Sequence, residues 1–582
     1  MTDYQVPPGV AADHFFKGLD VAKDSDRIRV DEVDWVALLP WLRLFRSFRM
    51  AIQPAKIVLA LLLVLLVYLG GKAIDSVSTT QIRSDAIERY ASSSGQSGYG
   101  YESEGQSGTF DSDRSSLALE KLLKRNAVGD EAIQAIVKSS DRFEQAKLAV
   151  HKHYVYLYDL NVKERDASQE VTAVSDDEFS RGLAQLRVQR AIELRAIDSL
   201  APEGVFAVLL DYEVKAFGRL VDHVVSLEFF SSERTGEVFH DASALRAMEL
   251  HGVAPTPVQA GAGAVGAGRD MFVVGPSWVW KYHRWHFIVF AVWLLVVASL
   301  FGGALARMTS LHAAREQRIG VAAALISASK RWWVYFVTPL APLCLVALFF
   351  LLLCVGGLVF FNPQVWGVDL LGSVLFGLAL AGGAIVGFTF LLTAVGGHLF
   401  YAAIAVEGAD CFDAVSRVVH YVINRLWQWL FFNVVAVVFG AVTYLLISCL
   451  VFVVLWVVHV AVGMWVYVET DLGMSRLEVL FPEPRFGQLS YDVDYTGLEG
   501  SAVCAAWIIR CWVFVAAGVL AAYAVSYYYT ANTWIFLLLR KSADDVAMTE
   551  VFVDAATPNH EPPNATPDEV DANTSEEPSE KG

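Results

Sequence analysis

The chain has 582 residues, of which 55% are hydrophobic and only 18% are charged, and its net charge at pH 7 is −17. An ordinary soluble domain carries about 25% charged residues, so this composition favours a membrane protein. The negative charge argues against a nucleic-acid-binding protein, because phosphate recognition requires clustered lysine and arginine.

The N-terminal segment, residues 1–53, ends in an arginine-rich stretch that contains Arg43, Arg46 and Arg49. We predict an interfacial helix there, followed by a first membrane helix at 54–74. About 20 apolar residues suffice to cross a hydrocarbon core of about 30 Å. The N-terminal segment is expected in the cytoplasm, because arginine and lysine near helix ends are retained on that side.

Residues 75–282 are then predicted to form an extracytoplasmic domain. A low-complexity run at 91–116 and a Gly/Ala-rich run at 260–268 indicate two flexible tethers. Between them, apolar residues at a spacing of three and four predict a small helical bundle or a long helical hairpin. A capping box from Ser175 to Glu178 marks the expected start of one of these helices.

Further apolar stretches predict that the membrane body is a six-helix transmembrane bundle, and the fold class is therefore all-α. The remaining membrane helices are expected at 287–306, 337–361, 368–405, 430–468 and 502–539. The last three exceed the length of one crossing, so they tilt, project or break. In the fourth helix, Gly396-Gly397 is the expected break.

The connections between these helices predict that both termini lie in the cytoplasm. Basic residues fill the connections 307–336 and 406–429, whereas the extracytoplasmic loop at 469–501 contains only two arginines among many acids. The tail at 540–582 is acidic and proline-rich after its first basic residues, and we expect it to be disordered.

The two cytoplasmic connections carry a loose repeat, which predicts two helices lying on the membrane surface. Each copy has an acid, Glu316 or Glu407, then small and aliphatic residues on one face, and then a basic–aromatic cluster. The clusters contain Arg331, Trp332 and Trp333 in the first copy and Arg425, Trp427 and Trp429 in the second. Arginine and tryptophan favour the lipid headgroup level. The second copy is longer by about one helical turn.

Acidic residues recur every three positions at Glu407, Asp410 and Asp413, with Arg417 one turn further on. A metal or proton site is one interpretation, but acids that open a helix more often complement its dipole. Arg510 lies inside an apolar run, where it either reaches outward or pairs with an acid. The candidate interfacial or structural residues are Glu316, Arg331, Trp332, Glu407, Asp410, Asp413, Arg417, Arg425, Trp427 and Arg510.

Several motifs of the membrane body carry a family resemblance. They are PWLRLFRSFR from Pro40 to Arg49, Ala314-Arg-Glu, Arg331-Trp-Trp, EGADCFDAVSR from Glu407 to Arg417, and Leu537-Leu-Leu-Arg-Lys541. In these motifs the chain resembles a group of uncharacterised bacterial polytopic membrane proteins, which implies a location in the bacterial inner membrane. The G-x-x-x-F-x-A-x-x-R pattern from Gly408 is also similar to Yip-like and glycerophosphodiester-phosphodiesterase-associated membrane domains. Neither resemblance implies catalytic residues.

Two hypotheses for the function follow from these patterns. The first is a non-enzymatic protein that binds or organises partners at the cell membrane, through 75–282 and through the acidic tail. The alternative is a transporter or permease subunit built on the two-helix parallel repeat. We find no catalytic, metal-binding or cofactor-binding motif, and we expect no cofactor. The expected partners are the lipid bilayer and proteins rather than nucleic acid, and no oligomeric state follows from the sequence.

Overall fold

The computed structural model describes residues 39–94, 108–168, 176–229, 263–361, 368–486, 493–498 and 500–553. These residues form helices, turns and isolated bridges, without a strand among them. Six helices are long and apolar enough to cross a membrane. The all-α prediction is therefore confirmed for the described residues, and the chain has the architecture of a multi-pass membrane protein.

The N-terminal half contains the first membrane helix and the helices of residues 75–282, which we call the inserted unit. After a 3-10 turn at Pro40–Phe45, the helices are α1 Arg46–Ala51, α2 Pro54–Val77, α3 Ala86–Ser94, α4 Ser112–Arg125, α5 Asp130–Lys138, α6 Arg142–Ser168, α7 Asp176–Leu200, α8 Val205–Val225, α9 Gly263–Arg269 and α10 Gly275–Tyr282. A π-helical turn, Asp270–Val274, joins the last two of these helices.

The second half contains the other membrane helices and their short connecting helices. They are α11 Arg284–Val297, α12 Gly303–Arg315, α13 Val321–Lys330, α14 Trp332–Val337, α15 Ala341–Phe361, α16 Val368–Gly396, α17 Phe400–Glu407, α18 Cys411–Asn424, α19 Leu426–Gly463, α20 Arg476–Leu480 and α21 Ser501–Asp544. A π-helical turn, Ala298–Gly302, joins α11 to α12, so the second crossing continues to Arg315, nine residues beyond its predicted end.

The long membrane helices differ in whether they break. The fourth crossing is interrupted by a 3-10 turn, Gly397–Leu399, immediately after Gly396, as the glycine pair predicts. In contrast, α19 and α21 are continuous over 38 and 44 residues. At 1.5 Å per residue they are about 57 and 66 Å long, well beyond the 30 Å of a hydrocarbon core. Both helices therefore project past one crossing.

The membrane core is concentrated where α2, α12, α17 and the last third of α21 meet. Apolar and small side chains fill this region, and nearly every side chain of α21 from Tyr529 to Arg540 is buried. We call this end of the bundle the basic end, because Arg307, Arg331, Arg417 and Arg540 lie there. The hairpin of α15 and α16 instead packs mainly on itself, and most of its side chains are exposed.

The inserted unit has an apolar core of its own, formed by α4 to α7. Representative buried side chains are Leu119, Ile133, Val150 and Ile197, and the core also includes Leu472 from the α19–α21 connection. The connection is thus part of the same packed unit. The capping-box residue Ser175 lies outside the described residues, and α7 begins directly after it.

The predicted tethers are partly helical at the positions that the structure describes. Helix α3 continues to Ser94 and α4 begins at Ser112, while α9 covers much of the run 260–268. The start of α4 has a clear local cause, because the Asp111 carboxylate accepts hydrogen bonds from the amides of Asp113 and Arg114 at 3.0 and 3.1 Å. Composition alone misses this cap.

Helix α8 attaches the inserted unit to the membrane helices at both of its ends. At its start, the Asp75 carboxylate, at the end of α2, accepts hydrogen bonds from the amides of Phe206 and Ala207. At its other end, Val221 and Val224 share an apolar core with Ala441 of α19. The described part of the inserted unit therefore contacts the membrane helices at both ends of α8.

Candidate functional site

The basic end is built from three helices that terminate with a left-handed residue. Glu316 follows α12 with φ 56°, Gly408 follows α17 with φ 63°, and Asp545 follows α21 with φ 55°. Such an ending leaves backbone carbonyls at the helix C-terminus in need of donors, and cations are favoured there. Arg307, Arg331, Arg417 and Arg540, which we call the arginine cluster, lie around these three endings.

The two copies of the predicted repeat follow the same backbone course. Each has a helix end with a left-handed residue, a short helix, α13 or α18, and a break at Arg331 or Arg425 before the next helix. Helix α18 is four residues longer than α13, as the sequence spacing predicts. The first copy departs from the prediction at Arg307. This residue lies inside α12 and is 4% exposed, because that helix continues into the predicted surface segment.

Glu407 is the acidic centre of the arginine cluster. Its buried carboxylate accepts hydrogen bonds from Arg417 Nη1 at 2.8 Å and from the Tyr421 hydroxyl at 3.1 Å, and it lies 3.8 Å from Arg540 Nη1. Arg417 also donates to Asp413 at 2.9 Å. This bond and the charge of Glu407 raise the pKa of Arg417, while burial and Glu407 raise the pKa of Tyr421. The network is an ion-pair site that ties α17 to α18 and α21.

Residues 545–553, which we call the C-terminal strap, fold back over the arginine cluster. The Phe552 amide donates to the Val406 carbonyl at 2.8 Å, and Arg307 Nη1 donates to the Phe552 carbonyl at 2.7 Å. Arg540 Nη2 donates to the strap carbonyls of Ala547 and Glu550 at 3.1 and 2.6 Å. Two buried arginines therefore hold the strap by its backbone, which requires no particular strap side chain.

Besides Val551 and Met548, which pack into the membrane core, the Phe552 ring provides a side-chain contact of the strap. It lies 4.3 Å from the Arg331 guanidinium and 5.5 Å from that of Arg307, measured to the ring centroid, within the range of cation–π attraction. A Cβ on Gly408 would lie 2.5 Å from the ring, so this close approach requires glycine. Arg331 Nη1 also donates to the Gly408 carbonyl at 2.6 Å.

The structure brings Arg331, Glu407, Asp413 and Arg417 together, but it separates the other candidates from them. Asp410 precedes α18 without a side-chain capping bond, and Glu316 is exposed at the end of α12. Trp332 packs on Trp333, Arg425 and Trp427 are exposed at the start of α19, and Arg510 lies near Phe514 in the opposite half of α21. The described residues contain no acid, histidine or cysteine group arranged to hold a metal ion.

The sequence patterns do not identify Arg307, Tyr421, Arg540 and Phe552 as site residues. For the strap, however, the sequence contains one signal. Val551-Phe552-Val553 is an apolar triplet at the start of an otherwise polar tail. Such a triplet is unexpected in a fully solvated segment and indicates a docking point. The two arginines give no comparable signal, because each lies at the end of an apolar run where arginine is common.

A cavity of about 450 Å³ opens beside the strap at the basic end. Its floor contains Glu407, Tyr421 and Arg540, and Phe552 forms part of its wall. Its rim carries the exposed side chains of Arg315, Arg417, Asp544 and Glu550. The cavity therefore presents both signs of charge.

A second polar site, which we call the distal clamp, joins the inserted unit to the α19–α21 connection. Arg187 donates to the carbonyls of Leu472 and Gly473 at 3.1 and 2.8 Å. Arg190, which is 6% exposed, pairs with Asp494 at 2.5 Å and donates through Nε to His151 Nδ1 at 3.0 Å. Burial and the Arg190 charge lower the pKa of His151. A cavity of about 220 Å³ lies beside these residues.

No protein-family model, curated protein or solved structure matches this chain. In both the arginine cluster and the distal clamp, arginine side chains donate hydrogen bonds to backbone carbonyls of another chain segment. Arginines of both sites also pair with carboxylates. Charge-assisted hydrogen bonds of this kind bind and position chain segments.

Proposed function

We propose that the protein is a non-enzymatic membrane protein that binds partners and organises them across the bacterial inner membrane. In this proposal the basic end and both termini face the cytoplasm, and the inserted unit lies outside. Two features support this orientation. Arginine and lysine concentrate near the helix ends of the basic end, and the opposite connections are poor in basic residues.

The observation that carries this proposal is the continuity of α21. At one end, this single 44-residue helix follows the connection held by the distal clamp, and at the other it leads directly into the C-terminal strap. A straight helix transmits position along its length, because its backbone hydrogen bonds are all internal. A partner bound to the inserted unit is thereby held at a defined place relative to the tail that follows the strap.

Photo-crosslinking in intact membranes tests this proposal. A photoreactive residue at Val188 or Tyr156, which are 59% and 63% exposed on the inserted unit, should give discrete protein adducts. The control is Leu378 of the α15–α16 hairpin, which is 71% exposed and apolar and should crosslink to lipid. Absence of protein adducts from both inserted-unit positions would contradict the proposal.

The alternative, a transporter or permease subunit, draws support from the shared backbone course of the two repeat copies. In that case a pathway would pass between α15 and α19, the membrane helices that follow the copies. Neither of the two cavities described above is lined by these helices. Single cysteines along the facing sides of α15 and α19 should then react with a small polar thiol reagent from both membrane faces. Protection of all of them would exclude such a pathway.

A further inference from the structure

Two side chains on the rim of the basic-end cavity are charged and unpaired. The side chains of Arg315 and Glu550 make no hydrogen bond or ion pair within the described part of the chain, although both line the same cavity. They are not within ion-pair distance of each other, so the cavity separates them. A guanidinium and a carboxylate held apart in this way suit a ligand that carries an anionic and a cationic group.

The other charged groups that line the cavity also include both guanidinium groups and carboxylates. Arg417 and Arg540 add guanidinium groups, and the Nε of Arg540 is buried without a hydrogen-bond partner in the described residues. Asp544 adds a second exposed carboxylate to the lining of the cavity, and its Oδ1 lies 3.4 Å from His420 Nε2. Glu407, by contrast, already accepts hydrogen bonds from Arg417 and Tyr421. Guanidinium groups match the geometry of phosphate oxygens, and carboxylates match an ammonium group.

The position of the cavity indicates the source of such a ligand. It lies at the terminal residues of α12, α17 and α21, where the apolar helices end. Large exposed aromatic side chains surround the same end of the bundle, with Trp333 59% exposed and Phe412 and Trp427 both 81% exposed. Exposed tryptophan and phenylalanine beside arginine are typical of the level of lipid headgroups. Basic pockets between membrane helices commonly bind such headgroups.

We propose that the basic-end cavity binds a phosphoethanolamine group, presented as the headgroup of a phosphatidylethanolamine lipid. The phosphate lies against Arg315, Arg417 and Arg540, and the primary ammonium donates hydrogen bonds to Glu550 and Asp544. Phosphatidylglycerol lacks the cation, and phosphatidylcholine has a quaternary nitrogen that cannot donate hydrogen bonds. Among lipids that have the same acyl chains, the site therefore selects the one whose headgroup carries a primary ammonium. This inference concerns a lipid and does not depend on the proposed protein partners.

Native mass spectrometry of the full chain in detergent, with the three lipids added singly, tests the site. We expect phosphatidylethanolamine to bind about tenfold more tightly than the other two, since only its ammonium group donates charge-assisted hydrogen bonds to the carboxylates. Arg315→Gln should weaken the binding of all three lipids. Glu550→Gln leaves Asp544 as the remaining carboxylate, so it should weaken the binding of phosphatidylethanolamine most, that of phosphatidylcholine less, and leave phosphatidylglycerol unchanged. Both positions are exposed, so neither variant should impair folding.

Arg318→Gln is the matched control, because Arg318 is an exposed arginine near Arg315 that does not line the cavity. It should leave the lipid preference unchanged. Equal binding of phosphatidylethanolamine and phosphatidylcholine to the unaltered protein would overturn the proposal, as would a preference that Glu550→Gln does not reduce. The last measurement uses soluble glycerophosphoethanolamine as a competitor of the lipid. If it displaces the lipid at equal concentration, the assignment to a lipid is wrong.

Discussion

At the scale of single residues, Gly408 controls the C-terminal strap. Its φ of 63° lies in the left-handed region, and the Phe552 ring occupies the place of a side chain. Gly408→Ala should cost about 1–2 kcal/mol for the backbone conformation and should also displace the strap. We expect a lower thermal unfolding temperature in detergent and faster proteolysis of the strap.

Gly500→Ala separates these two effects. Gly500 also has a positive φ, 56°, although its ψ is −123° rather than the 24° of Gly408, and an added Cβ there would have no neighbour within 4 Å. Both variants should lower the unfolding temperature, whereas only Gly408→Ala should expose the strap to protease. Equal strap protection in the two variants would show that Phe552 does not hold the strap against Gly408.

His151 gives the distal clamp a pH dependence. Arg190 Nε donates to His151 Nδ1, so the neutral imidazole carries its proton on Nε2. Protonation of Nδ1 would place an N–H against the N–H of Arg190. Burial and the charge of Arg190 lower the pKa of His151, although Asp494 and Asp471 act in the opposite direction. Because the folded pKa is below the unfolded value of about 6.5, the clamp is complete above pH 6.5. Its contribution is lost as the pH falls through the lowered pKa.

Hydrogen exchange of the segment 469–476, corrected for the intrinsic exchange rate at each pH, measures this effect. Protection should decrease on acidification in the unaltered protein and should be independent of pH in His151→Asn. His153→Asn is the control. Burial also lowers the pKa of His153, but its ring contacts Tyr154 and it does not take part in the clamp. A pH step that persists in His151→Asn would assign the effect to another group.

At the scale of elements, the π-helical turn between α11 and α12 allows α21 to approach closely. Gly302 ends this turn, and a Cβ there would overlap the ring of Tyr529 in α21. Gly302→Ala should therefore destabilise the bundle by about 1–3 kcal/mol, the usual cost of overpacking. In Gly357→Ala, on α15, the new methyl meets nothing within 4 Å and the helix propensity improves. Thermal unfolding in detergent should separate the two variants, and equal unfolding temperatures would contradict the close packing.

At the scale of the whole molecule, the proposed orientation predicts which surfaces react in intact cells. The six native cysteines must first be replaced. A cysteine at Ser140, an exposed position of the inserted unit, should react with a membrane-impermeant thiol reagent. A cysteine at Ser329, exposed on α13, should react only after lysis. The reverse labelling pattern would show that the protein has the opposite orientation in the membrane.

The sequence by itself determines the membrane helices, the break after Gly396 and the spacing of the two repeat copies. These features depend on local properties, since apolar length, glycine pairs and helical periodicity act within about 20 residues. Helix ends depend on packing, and α12 continues into the predicted surface segment as far as Arg315 because Arg307 finds buried carbonyl partners. Its burial therefore depends on residues outside its own helix.

Only the tertiary structure decides which charged and polar groups distant in the sequence meet, whereas the pair of Asp413 and Arg417 follows from their i,i+4 spacing. Arg307 and Phe552 are 245 positions apart, and Arg187 and Gly473 are 286 positions apart, yet each pair is joined by a hydrogen bond. No spacing rule connects residues at such separations, because the directions of whole helices bring them together. Hydrophobic length is a property of one segment, whereas the pairing of an arginine with a carbonyl is a property of two. The membrane architecture is thus encoded locally, and the arginine cluster, the strap and the clamp arise from packing.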